Sequence, residues 1–105
     1  MEAAENSSEI YRAKVNLETA QIAWKELQRY FASGVALAVA ADLDLVEVAF
    51  QMSQDNTVQV GQWIAAGKLG KVADEQARGW METDEVLWAV VASPWVLVQP
   101  VRQLQ

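Results

Sequence analysis

Apolar and polar positions along the chain alternate with two periods, and the period changes mark the elements. Leu17, Ala20, Trp24, Leu27 and Phe31 recur at steps of three and four, with Ala23 and Tyr30 widening the stripe. Glu18, Gln21, Lys25, Gln28 and Arg29 fill the other side. This spacing predicts an amphipathic helix over residues 17–32, with Asn16 as N-cap and Gly34 as the residue that ends it. Residues 35–40 (VALAVA) then read as a short buried strand, weakened by its alanines.

The next stretch, DLDLVEVAFQMSQD, fits two patterns. Val46, Val48 and Phe50 alternate as a strand would, but Leu45, Val46, Val48, Ala49 and Met52 fit a helical face. Asp44 and Glu47 stand in capping-box spacing, which favours the helix. Asn56 and Gln59 repeat that logic before a third helix, with Val60, Trp63 and Ile64 inward and Gly67 as its stop. Residues 68–72 form a linker with room for an extended pair of residues. Asp74 caps a fourth helix, with Ala77, Trp80 and Met81 inward.

Residues 86–101, VLWAVVASPWVLVQPV, carry no charged side chain. The tract is too short, and too interrupted by Pro94 and Pro100, to span a bilayer. It predicts a hairpin of strands 87–92 and 95–99, with Pro94 at the second position of a turn begun by Ser93. Leu87, Ala89 and Val91 face one way and Trp88, Val90 and Ala92 the other. Trp95 and Leu97 likewise oppose Val96 and Val98. Neither strand has a polar face, so both sides need cover. The expected fold is α+β: three to four helices on one face of a small, mainly antiparallel three-stranded sheet.

Composition bounds function more by exclusion. The 105 residues are 52% hydrophobic and 21% charged, the balance of one globular domain. Residues 1–15 read as a flexible acidic leader and 16–105 as the domain. The net charge is −6, partly from Glu2, Glu5 and Glu9. That sign argues against a phosphate-backbone binder, which needs clustered Lys and Arg, and against anionic lipid. The chain has no Cys and no His, hence no thiolate or imidazole nucleophile, base or metal ligand. No secretory signal pattern opens it, so a cytoplasmic location is expected.

The runs LETAQIAWKELQRYFASG, LDLVEVA, DEQARGW and LWAVVASPWVLVQPV resemble those of a family of small bacterial proteins found in cyanobacteria and proteobacteria. It is known as domain-of-unknown-function family 2288. The resemblance covers residues 16–101 and implies one compact cytoplasmic domain. It implies no activity, cofactor or catalytic motif.

Three groups of residues are candidates for chemistry or binding. Asp42, Asp44 and Glu47 place three carboxylates close together, suited to a divalent metal or acid–base work, although helix capping explains the same spacing. Gly67-Lys68-Leu69-Gly70 matches a backbone-clamping GXXG loop, yet Lys71, Val72 and Ala73 separate it from the following helix. Five tryptophans are many for this length. Trp24, Trp63 and Trp80 fall on helix faces directed at the core, whereas Trp88 and Trp95, with Val90, Val96 and Val98, are the candidate interface. The function expected is a non-enzymatic interaction or assembly module, a homodimer or part of a larger complex, with no catalytic residue or cofactor. A small carboxylate-dependent enzyme or metal-binding domain around Asp42, Asp44 and Glu47 is the alternative, and single-stranded RNA binding through Lys68 and Lys71 a third reading.

Overall fold

A computed structural model describes Lys14 and residues 18–101. The leader expected over residues 1–15 lies, Lys14 apart, outside the described residues. Among the described residues four helices flank a five-stranded sheet, so the mixed α+β class holds and the three-stranded sheet does not. The strands are β1 (Ala20–Ala23), β2 (Ala36–Val39), β3 (Leu69–Lys71), β4 (Val86–Ala92) and β5 (Trp95–Pro100). The helices are α1 (Trp24–Ala32), α2 (Leu45–Ser53), α3 (Thr57–Ala65) and α4 (Asp74–Glu82). The sheet order is β1-β4-β5-β2-β3. Only β2 and β5 pair in parallel; the other three pairings are antiparallel, as expected of a mainly antiparallel sheet.

The hairpin forms as its apolar run predicts, with Leu87 opposite Pro100 and Ala92 opposite Trp95. That register makes Ser93 and Pro94 a two-residue loop, so Pro94 sits third in a turn begun by Ala92, and the Ser93–Pro94 bond is cis. The two added strands come from segments read otherwise. Ala20–Ala23 was expected inside a helix from residue 17, but it pairs with β4 from Ala20 opposite Ala89 to Ala23 opposite Val86. Backbone groups along β4 need partners on that side, and this non-local gain outweighs the local helical period. Trp24 N–H then donates to Glu85 O at 2.8 Å, turning the chain into α1. The linker after Gly67 supplies β3, which pairs with β2.

Both faces of the sheet are covered by this chain's own helices, which corrects the expectation of a single helical layer. Toward α2 and α3, Leu37, Val39, Leu69, Val90 and Leu97 meet Leu45, Val48 and Ala49. On the other face, Ala36, Leu87, Ala89, Val96 and Val98 meet Trp24 and Leu27 of α1 and Ala77 of α4. Strands buried on both faces are apolar at most positions, which accounts for most of the charge-free C-terminal tract, although Val86 and Val91 stay 41% and 64% exposed. Each fully buried Leu or Val contributes about 1.5–3 kcal/mol relative to exposure.

Local signals place most helix ends. Asp44 Oδ1 accepts from Val46 N–H at 3.0 Å and Glu47 N–H at 3.4 Å. Asn56 Oδ1 accepts from Gln59 N–H at 3.2 Å. Gly34 and Gly67 both have positive φ, 81° and 76°, as helix-ending residues should. Asp74 is not a cap: Ala73 holds that position without a side-chain bond, and Asp74 and Glu75 instead place negative charge in the first turn of α4. Met81 and Ile64, expected inward, are 45% and 55% exposed.

Candidate functional site

A groove of about 580 Å³ lies where the α2–α3 turn meets the β4–β5 turn. Met52, Val60 and Ile64 line its helical wall, and Ala92, Pro94 and Trp95 its hairpin wall. Its polar rim is held by its own hydrogen bonds. Asn56 caps α3 and its Nδ2 donates to Gln51 Oε1 at 2.8 Å, while Gln51 Nε2 donates to Glu47 Oε2 at 2.7 Å. Asp55 adopts a left-handed backbone, φ 60°, which closes the turn tightly. Helix α3 buries no residue fully, and Val58 is 70% exposed. The arrangement suits an apolar side chain laid between Ile64 and Trp95, with Ser53, Asp55, Thr57 and Ser93 also on its lining.

A second cleft of about 450 Å³ lies at the carboxyl ends of the parallel pair β2 and β5. Leu43, Asp44, Val46, Trp88 and Gln99 contribute to it. Gln99, the lone buried polar residue among the described residues, donates through Nε2 to Ala40 O at 2.8 Å and Leu43 O at 2.7 Å. Sequence reasoning passed over it, although it is the one polar side chain within the β5 run, and that isolation is its signal.

The three carboxylates are directed to different partners. Asp42 forms an ion pair with Lys68, Asp44 caps α2, and Glu47 accepts from Gln51. Among the described residues no three His, Cys, Asp or Glu side chains gather as a metal site. The GXXG candidate is not an open loop, since Leu69, Gly70 and Lys71 are paired in β3.

Of the interface candidates, Val90, Val96 and Val98 lie inside the two cores, at 3%, 5% and 0% exposure. The uncovered second face that singled them out is occupied by helices. Trp88 and Trp95 are half-buried, packed at the margin of the α2–α3 core, and each borders one of the two clefts. Trp24, Trp63 and Trp80 pack on the cores as their helix positions predict. No helix among the described residues is long and apolar enough to cross a membrane.

Comparison with known proteins agrees with the fold and adds no activity. A solved relative, PA1075 from Pseudomonas aeruginosa, determined by NMR in solution, is 46% identical and superposes with a TM-score of 0.78. The match covers 87% of this chain and 84% of that one. No curated protein matches. The family model described as "Protein of unknown function (DUF2288)" matches residues 10–100, starting six positions before the resemblance read from the sequence. A match over that much of the chain is decisive, and the chain belongs to the DUF2288 family.

Proposed function

We propose that this protein is a non-enzymatic interaction module, acting as a homodimer or within a larger complex, and that it makes contact through the groove between α3 and the β4–β5 turn. The observation that carries this reading is the apolar character of that groove together with the exposure of Ile64, 55%, on the helix that forms its wall. A half-buried tryptophan opposite an exposed isoleucine is the composition of a partner-binding hot spot. This reading moves the contact from the strand faces, which helices cover, to the groove beside them.

Size-exclusion chromatography with light scattering tests the reading, on the purified chain and in extract of its native cells. The chain should travel above its monomer mass of 11.6 kDa in at least one of these settings. Ile64→Asp, which alters an exposed side chain and leaves the cores intact, should return it to the monomer. Monomeric behaviour of the unaltered chain in both settings overturns the proposal, as does a complex indifferent to Ile64→Asp.

A further inference from the structure

The cleft of about 450 Å³ at the start of α2 is floored by two side chains that stand next to each other. Trp88 and Gln99 are direct partners in the β4–β5 ladder. Trp88 packs against the α2–α3 core, and Gln99 lies two positions on from Leu97 of that core, so both belong to the same face of the sheet. Leu43 and Val46 close the cleft from the α2 side. Its size, and an apolar wall with few polar groups, are the proportions of a small-molecule site.

Gln99 is 8% exposed, yet the fold uses only the donor end of its amide. Nε2 donates to the Ala40 and Leu43 carbonyls, and because both partners are acceptors the amide cannot be turned round. Among the described residues no donor meets its Oε1. Nor is Oε1 sealed in: among the described residues only Trp24 Nε1 is a side-chain polar atom both buried and without a partner. Oε1 therefore opens on the cleft that Gln99 lines, as an acceptor fixed in direction and unmatched by the protein. Asp44, also on the lining, spends Oδ1 on both capping bonds and leaves Oδ2 without a partner among the described residues. No Lys or Arg lines the cleft.

We propose that this cleft binds a small organic cation, an ammonium or amidinium group carried on a flat apolar body. Its N–H donors go to Gln99 Oε1 and the Asp44 carboxylate, and its body lies against the Trp88 ring and Val46. Two acceptors, one of them charged, select a donor-rich cation, and the indole adds attraction for positive charge. An anion finds no counter-charge there and meets Asp44 instead. The site is separate from the α3 groove and does not depend on it.

NMR titration of the isotope-labelled full chain with benzamidinium chloride tests this. Saturable shifts should appear at the Val46 N–H, the Trp88 indole N–H and the Gln99 side-chain amide, with a Kd of about 1 mM or tighter for a probe of this size. Gln99 is read in place through its own amide signal, because replacing it also frees the Ala40 and Leu43 carbonyls. Benzoate, the same ring with the opposite charge, should bind at least ~tenfold more weakly. Asp44→Asn keeps the cap and removes the charge, and Trp88→Leu keeps an apolar wall and removes the ring. Each should weaken benzamidinium binding by about fivefold or more at low salt. Absence of saturation by ~10 mM overturns the proposal, as do shifts confined to other acidic residues. Benzoate binding as tightly as benzamidinium overturns it too, as does unchanged affinity in either variant.

Discussion

Gln99 holds Leu43 in place across 56 positions of sequence: its Nε2 donates to the Leu43 carbonyl at 2.7 Å, and to the Ala40 carbonyl at 2.8 Å. These two bonds tie the segment between β2 and α2 to the last strand, just ahead of the Asp44 cap that begins α2. A buried amide with both donors engaged also tolerates few replacements.

Gln99→Leu should therefore destabilise the fold by about 1–3 kcal/mol, because the amide's two acceptors lose their donor at a largely buried site. Gln99→Glu should cost more than Gln99→Leu, since a carboxylate oxygen cannot donate to a carbonyl and is itself desolvated. Urea unfolding monitored by circular dichroism measures both, and equal costs for the two variants would contradict this account.

Asp42 and Asp44 stand two positions apart and should behave differently. Asp44→Ala removes the cap of α2 and should cost about 1 kcal/mol, with Asp44→Asn restoring most of it. Asp42→Ala breaks an ion pair with Lys68 whose side chains are 60% and 41% exposed, so its cost should be below ~1 kcal/mol and vanish in high salt. Denaturation at low and high ionic strength separates the two cases.

Trp24 is wholly buried, and its ring meets Trp80 edge-on at 5.0 Å and Phe31 at 5.7 Å. Its indole N–H finds no hydrogen-bond partner among the described residues. Shape and aromatic contact, and not hydrogen bonding, then account for its contribution. Trp24→Ala should cost about 3–5 kcal/mol, whereas Trp24→Phe should cost less than half as much. A Trp24→Phe loss close to that of Trp24→Ala would show that the ring's full volume is indispensable.

Glycines at helical and at left-handed positions should respond with opposite signs. Gly61 lies within α3, and a Cβ there meets nothing within 4 Å. Gly61→Ala should raise stability by about 0.4–1 kcal/mol, mainly by restricting the unfolded chain. Gly34 has φ +81°, so Gly34→Ala should lower stability by about 1–2 kcal/mol. Thermal unfolding of the two variants gives both signs in one experiment.

Short-range features of this fold were legible before its tertiary structure. The caps at Asp44 and Asn56, the stops at Gly34 and Gly67 and the hairpin around Ser93-Pro94 all depend on neighbours a few residues away. The groove was legible only in pieces. Trp95 was singled out, but for a strand face, and Ile64 was assigned to the core, because a helical period shows which residues share a face and not what lies opposite.

The sequence by itself determined that most of the C-terminal tract must be covered on both sides, since no residue from 86 to 101 carries a charge to hold toward water. Tertiary structure alone decided what covers it: α1 and α4 on one side, α2 and α3 on the other. It also decided that Ala20–Ala23 becomes a strand, because β4 offers that segment a row of backbone partners more than sixty positions away. Periodicity and capping are local energies written in adjacent residues. Which surfaces meet is settled by burial summed over the whole chain, and that sum exists only once the chain has folded.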